Sequence, residues 1–157
     1  MKMAIKDKNR DYAIMAFVKY AQCGCPTREQ REEQIRQEIF NRHQNKDPKY
    51  VVSLAEIELR RQKGHLDDID AVNRTFDMLY GYTPLVDGQN THSGNDIAEA
   101  VKAVYFTFRN KKINERDIIS NRVKAHAMAV FVDIRTVYRW LKYARDLFAL
   151  LRGLDIS

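Results

Sequence analysis

The residues best suited to chemistry lie near the C-terminal end, where basic and apolar side chains are interspersed at helical spacing. Residues 132–149 read VDIRTVYRWLKYARDLFA. At helical spacing one face of this stretch is apolar and is expected to pack inward. That face comprises Val137, Leu141, Ala144 and Phe148, and it continues beyond the stretch to Leu151. Arg135, Arg139, Lys142 and Arg145 lie away from it. Exposed guanidinium and ammonium groups bind phosphate, so the stretch favours binding of a polyanion.

The distribution of charge points the same way. Residues 101–157 contain 12 basic and 5 acidic side chains, a net charge of +7. Residues 1–100 contain 15 basic and 16 acidic side chains, a net charge of −1. An excess of positive charge confined to one part of a chain suggests a polyanionic partner, most often nucleic acid. The alternative is a basic surface that is only solvated.

The motifs that would indicate an enzyme are missing from the sequence. It contains no glycine-rich phosphate loop, no nucleophile elbow and no His-Glu pair at metalloprotease spacing. Asp67, Asp68 and Asp70 are clustered, but on one helix their side chains point in different directions. We expect them near the start of that helix, where solvation and the helix dipole account for them. We therefore expect no catalytic activity and no cofactor.

The cysteines of the chain, Cys23 and Cys25, occur in the stretch QCGCPT. A disulfide across a single intervening residue would be strained. A zinc site needs about four ligands, and neither His43 nor His65 lies at a familiar ligand spacing. Two ordinary thiols at a helix end are the favoured interpretation, with metal and redox roles as alternatives. We predict no metal site.

Nearly every segment has helical rather than alternating periodicity, which predicts an all-α fold of about seven helices. The predicted N-caps are Thr27, Asp47, Asn95 and Asp133. Thr27 is followed by Gln30 in capping-box style, and Pro48 follows Asp47. Gly64 and Gly81 are predicted to end two of the helices.

One long segment, 82–95, has no periodicity and is rich in Pro, Gly, Asn, Ser and Thr. We predict an N-terminal helical lobe over 1–81, a linker over 82–94, and a DNA-binding lobe over 95–157. The chain has no apolar run of the roughly 18–20 residues that a membrane span needs. Its N-terminus has no signal-peptide core, so we expect a cytoplasmic protein.

The last helices have the order and connection of a helix-turn-helix unit. Ala127 is the small residue that such units place where two helices cross closely. Val130 and Val132 flank the turn, and Asp133 is the cap of the final helix. Phe131 stands where a turn glycine is usual, and glycine there accommodates a positive φ. This departure predicts a longer or differently bent turn.

A recognition helix places its first residues against base edges in the major groove. Arg binds guanine through two hydrogen bonds, whereas Thr and Tyr bind phosphate or a base methyl. The predicted nucleic-acid-binding residues are Arg135, Thr136, Tyr138, Arg139, Lys142, Arg145, Lys124 and Arg122. Lys142 and Arg145 are expected to contact phosphates. The alternative is an exposed basic helix that docks on an acidic protein.

Residues of about 95–152 also resemble known families. The stretches AEAVKAVYF, RVKAHAMAVFVDIRTVYRWLKYARDLFA and LLRGL are similar to the C-terminal DNA-binding regions of sigma factors. They also resemble phage late transcription regulators of the ArpU type. The matching positions are Thr136, Val137, Tyr138, Arg139, Ala144, Arg145 and Phe148. The resemblance implies a DNA-binding transcription regulator of phage or mobile-element type.

Two function classes therefore stay open. The first is a sequence-specific regulator that binds double-stranded DNA, with RNA polymerase as an expected contact of the N-terminal lobe. The second is a non-enzymatic interaction protein whose basic helix binds a protein or ribonucleoprotein. An antitermination adaptor and a phage-encoded inhibitor such as an anti-CRISPR are examples of that class. A homodimer is an open alternative for the oligomeric state.

Overall fold

The computed structural model describes residues 5–81, 85–86, 90–91, 93–106 and 116–154, and these form an all-α protein, as predicted. Over the described residues there are seven helices and a pair of two-residue strands. The helices are α1 Ile5–Gln22, α2 Arg28–Arg42, α3 Pro48–Arg61, α4 Lys63–Gly81, α5 Gly94–Tyr105, α6 Arg116–Val130 and α7 Ile134–Arg152. Strand β1 (Leu85–Val86) pairs antiparallel with β2 (Asn90–Thr91). None of the described helices is long and apolar enough to cross a membrane.

Three of the predicted N-caps are confirmed. Thr27 forms the full capping box with Gln30, because each residue's side chain accepts a hydrogen bond from the other's backbone N–H. The Asp47 carboxylate accepts from the backbone of Lys49, and Pro48 is the first residue of α3. Asp133 caps α7 in the same way. The start of each of these helices is therefore determined by its local sequence.

Two predicted boundaries are wrong. Ser93, not Asn95, caps α5, because Ser93 and Asp96 exchange side-chain and backbone hydrogen bonds at 3.3 Å. Gly64 does not end α3 but lies inside α4, since only Gln62 separates these two helices. The backbone N–H of Leu66 reaches the Gln62 carbonyl at 3.0 Å, so α4 begins before the glycine.

A single large core includes buried residues of α1, α4, α5, α6 and α7. Phe17 of α1 lies at its centre, 5.9 Å from the Tyr105 ring of α5 and 5.5 Å from the Phe148 ring of α7, measured between ring centroids. Helices on both sides of the predicted linker contribute residues to this core. The division into lobes over 1–81 and 95–157 stays a prediction, but its two sides share one core. Residues 82–84, 87–89 and 92 of that linker lie outside the described residues.

The pair α2–α3 encloses a second, smaller cluster formed by Ile39, Val51 and Ala55. Arg28 joins α2 to α4, because its Nη1 donates to Asp67 at 3.0 Å and to Asp70 at 2.6 Å.

The expectation that Asp67, Asp68 and Asp70 serve solvation and the helix dipole is wrong. The helix starts at Lys63, so all three acids lie beyond its first turn and bind arginines of other helices.

Candidate nucleic-acid interface

The connection between α6 and α7 keeps the conformation of a glycine turn without the glycine. Phe131 follows the end of α6 and has a φ of +59°. The backbone N–H of Val132 then donates to the carbonyl of Ala127 at 3.0 Å, which closes the helix end. Asp133 accepts from the backbone N–H of Arg135 at 3.1 Å and starts α7. The turn is therefore short, and Phe131 itself adopts the left-handed conformation.

The two helices pack closely beneath this turn. Ala127 is buried, as expected of a small residue at a helix crossing, and Val132 packs against the core. The inward face of α7 is confirmed for Val137, Leu141, Ala144 and Phe148, which are all buried, while Leu151 is half-buried. Val130 is instead 41% exposed. The buried face fixes the rotation of α7 about its axis, and thereby determines which side chains face solvent.

The solvent face of α7 brings together the basic residues predicted near its start. Arg135, Tyr138, Arg139 and Lys142 are all exposed, and at intervals of three and four residues they share one face of the helix. Thr136 beside them is half-buried. On α6, Lys124 is exposed and Arg122 is half-buried.

Lys142 forms an ion pair with Asp146 of the same helix, with 2.7 Å between Nζ and the carboxylate. Both side chains are about two-thirds exposed, at 67% and 65%. Exposed ion pairs at this spacing stabilise a helix by only about 0.3–0.5 kcal/mol. The ammonium group of Lys142 is therefore able to contact a phosphate.

Arg145 is situated differently from the other predicted residues. Its Nη1 donates to the hydroxyl group of Tyr105 at 2.9 Å, and Tyr105 is only 1% exposed. Burial raises the pKa of Tyr105, and the nearby Arg145 guanidinium acts in the opposite direction. Arg145 thus satisfies a buried hydroxyl of α5. Its predicted contact with a phosphate stays a prediction.

An exposed apolar cluster at the turn was not predicted as part of the site. We call it the apolar tip, and it consists of Met128, Val130, Phe131 and Ile134. Phe131 is 94% exposed and Met128 78% exposed. The signal in the sequence was Phe131 at the glycine position, which indicated an unusual turn but not an exposed surface.

Among the described residues, no group of three or more His, Cys, Asp or Glu side chains is arranged so that it could hold a metal ion. Cys23 and Cys25 are free thiols. His65 accepts a hydrogen bond from Nε of Arg31 at 3.0 Å. Burial, with Lys19 and Arg31 nearby, lowers the pKa of His65 to about 4. His65 is therefore neutral at physiological pH and is engaged in packing α2 against α4.

Comparisons with protein-family models, curated proteins and solved structures found no match to this chain. The resemblance to sigma-factor and ArpU-type regulators therefore rests on the quoted residues.

Proposed function

We propose that this protein is a sequence-specific DNA-binding regulator of transcription, in which α6 and α7 form a helix-turn-helix and α7 enters the major groove. The observation that supports it most is the exposed face of α7. Arg135, Tyr138, Arg139 and Lys142 share that face, while the opposite face is buried in the core. The groups that would bind DNA thus project from a helix with a fixed orientation.

The position of each residue along α7 suggests its role. Arg135 and Arg139 belong to the first turns, which in a docked recognition helix lie against base edges. Their guanidinium groups match the O6 and N7 acceptors of guanine. Lys142 lies about two turns after Arg135, on the next turn from Arg139, and would reach the phosphate backbone. Because all three side chains are exposed, DNA binding requires no rearrangement of the core.

The excess charge of the C-terminal part supports the same partner. With a net charge of +7 over residues 101–157, this part would attract duplex DNA in a strongly salt-dependent manner. We further propose, from the resemblance of residues 95–152, a regulator of phage or mobile-element type. The N-terminal helices would then contact RNA polymerase or a second copy of the chain.

The second candidate function is binding of a protein or ribonucleoprotein through the same helix. The apolar tip favours it, because clustered exposed apolar side chains often mark protein interfaces. Such a partner would be acidic and would not require a particular DNA sequence.

Selection of bound duplexes from a random pool, followed by two alanine variants, tests the proposal. Arg135→Ala should lose about 1–3 kcal/mol of binding on the selected duplex and should relax its sequence preference. Lys142→Ala should weaken binding to all duplexes equally and reduce the salt slope by about one. Lys49→Ala removes an exposed charge of α3 and is the matched control, with little expected effect.

A failure of the pool to enrich any sequence would argue against sequence-specific binding. Equal losses for Arg135→Ala and Lys142→Ala on selected and random duplexes, in variants of unchanged helicity, would show that α7 does not read bases. Either result would favour the protein-partner function.

A further inference from the structure

The apolar tip exposes side chains that soluble proteins usually cover. Phe131 is 94% exposed, Met128 78%, Val130 41% and Ile134 39%. All of them lie at or beside the turn between α6 and α7. Scattered exposed apolar residues need no explanation, but four within seven consecutive residues concentrate apolar surface at one turn, which is typical of an interaction surface.

The backbone at Phe131 shows that packing within the chain does not account for this residue. A φ of +59° is unfavourable for a bulky side chain and is usually adopted by glycine. The chain uses glycine for this purpose at the end of α7, where Gly153 has a φ of +80°. Burial of the Phe131 side chain does not offset this backbone strain, because the side chain is almost fully exposed. Cys25 also has a positive φ, +54°, but its side chain is small; a bulky side chain that is both strained and exposed points to a role outside the fold.

The charges around the apolar tip favour a polyanion over a second copy of the chain. Lys124 lies one helical turn before Met128, and Arg135 directly follows Ile134; both cations are exposed. Two copies docked tip to tip would bring these cations together.

Asp133 lies in the turn beside the tip, whereas Asp146 lies about three helical turns farther along α7. Asp133 uses its carboxylate to cap α7, and Asp146 is paired with Lys142. The surface beside the tip thus keeps its positive character, which complements a nucleic acid.

We infer that Phe131, with Met128 and Ile134 beside it, contacts the C5-methyl group of thymine in the major groove. This inference rests on the proposed function, because it places the first turn of α7 at the base edges. Thymine's methyl is the apolar group that unmodified DNA presents in the major groove, and apolar side chains such as Phe recognise it. The apolar tip would therefore supply thymine preference next to the guanine preference of the arginines.

Deletion of the methyl group tests the inference without disturbing the duplex. The duplex selected from the random pool is prepared with thymidine or with deoxyuridine, which lacks the C5-methyl. The wild-type chain should bind the deoxyuridine duplex about four-fold more weakly for each contacted methyl. Phe131→Gly should bind the thymidine duplex more weakly and should no longer distinguish the two. Leu150→Ala, which changes an exposed apolar residue at the other end of α7, should behave as the wild type.

The outcomes separate this inference from the proposed function. If the wild type binds both duplexes equally while Arg135→Ala still weakens binding, the methyl contact is wrong and the reading helix stands. A discrimination that persists in Phe131→Gly would assign the methyl contact to another residue and overturn the inference. If no duplex is enriched, both fail. Phe131→Leu keeps an apolar side chain and should retain part of the discrimination, while circular dichroism verifies that each variant is folded.

Discussion

Each end of α7 has one residue with a left-handed backbone and an arginine close to it, but the two ends differ in what these residues contact. At the C-terminal end, Gly153 adopts a left-handed φ of +80° and closes the helix. Arg152 beside it donates from Nε to Asp68 at 2.6 Å. At the N-terminal end, the left-handed residue is Phe131 and the arginine is Arg135, and both are exposed. We call the C-terminal end of α7 the attached end, because its arginine is bound to another helix. We call the N-terminal end the exposed end, because its left-handed residue and its arginine both face solvent.

The two ends therefore differ in whether contacts within the fold account for the conformation of their residues. At Gly153 and Arg152, backbone preference, hydrogen bonding and packing agree. At Phe131 backbone preference is violated, and the exposed side chain gives no packing in return. Departures of this kind are expected at functional sites. The comparison therefore supports the N-terminal end of α7 as the binding surface.

The largest expected effect on stability is at the attached end. Arg152 and Asp68 are 23% and 19% exposed, and Asp68 also accepts from the hydroxyl group of Tyr12 at 2.7 Å. Arg152→Ala would leave this half-buried carboxylate without its cation. We expect a loss of about 2 kcal/mol in the free energy of unfolding, measured by urea denaturation.

Arg135→Ala is the matched change at the exposed end, and it should alter stability by less than about 0.5 kcal/mol. Similar losses for the two variants would show that both ends are attached to the fold, and the comparison would fail.

The attached end should also respond to acid. His65 precedes Leu66 in the first turn of α4, next to Gly64, whose carbonyl lies 3.5 Å from Nη2 of Arg152. The pKa of His65 is lowered from 6.5 to about 4, mainly by burial. Between these values the unfolded chain binds the proton and the folded chain does not. With respect to His65, the free energy of unfolding therefore has its full value above pH 6.5 and decreases as the pH falls towards 4.

We expect this single group to account for about 1–2 kcal/mol of lost stability over that interval, after allowance for solvent screening. His65→Gln keeps a side chain that accepts hydrogen bonds but does not titrate. Its unfolding free energy, measured from pH 7 to 4, should decline less steeply than that of the wild type. Parallel curves for the two proteins would contradict the prediction.

Much of the fold was predictable because the deciding interactions are local. The capping box at Thr27 and the cap at Asp133 involve neighbouring residues, and the inward face of α7 follows from helical spacing. Arg152 and Asp68, in contrast, are 84 residues apart in the chain. No local pattern indicates such a pair, so the acids of α4 were assigned to solvation. Ser93 lies two positions before Asn95 in the same polar segment, and both residue types favour an N-cap, so the sequence did not distinguish them.

The candidate site was predictable to a similar extent. The exposed face with Arg135 and Arg139 follows from the apolar face opposite it. The hydrogen bond from Arg145 to Tyr105 does not follow from helical spacing, because 40 residues separate the two. The sequence marked Phe131 as a departure from a turn glycine. Its φ and its exposure could not be inferred, since a bulky residue at that position predicts a different turn.

Replacement of Gly153, the glycine at the attached end, should have a smaller effect on stability. Gly153→Ala places a Cβ where nothing lies within 4 Å, so the cost comes from the left-handed backbone alone. We expect a loss of about 1 kcal/mol in thermal or urea unfolding. Gly81→Ala is the control, because it also has open space but lies at the end of α4 without a positive φ. An equal loss at Gly81 would mean that backbone conformation is not the cause.

The smallest effect has the opposite sign and lies at the exposed end. Phe131→Gly relieves the left-handed strain and removes a side chain that is only 6% covered, given its 94% exposure. The greater freedom of glycine in the unfolded chain offsets part of this gain. We expect the variant to be more stable by about 0.5 kcal/mol, whereas Met128→Ala should be close to neutral. Differential scanning calorimetry of the free protein measures both. A loss of stability in Phe131→Gly would mean that the apolar tip supports the turn, and the contrast between the two ends of α7 would then reflect packing rather than binding.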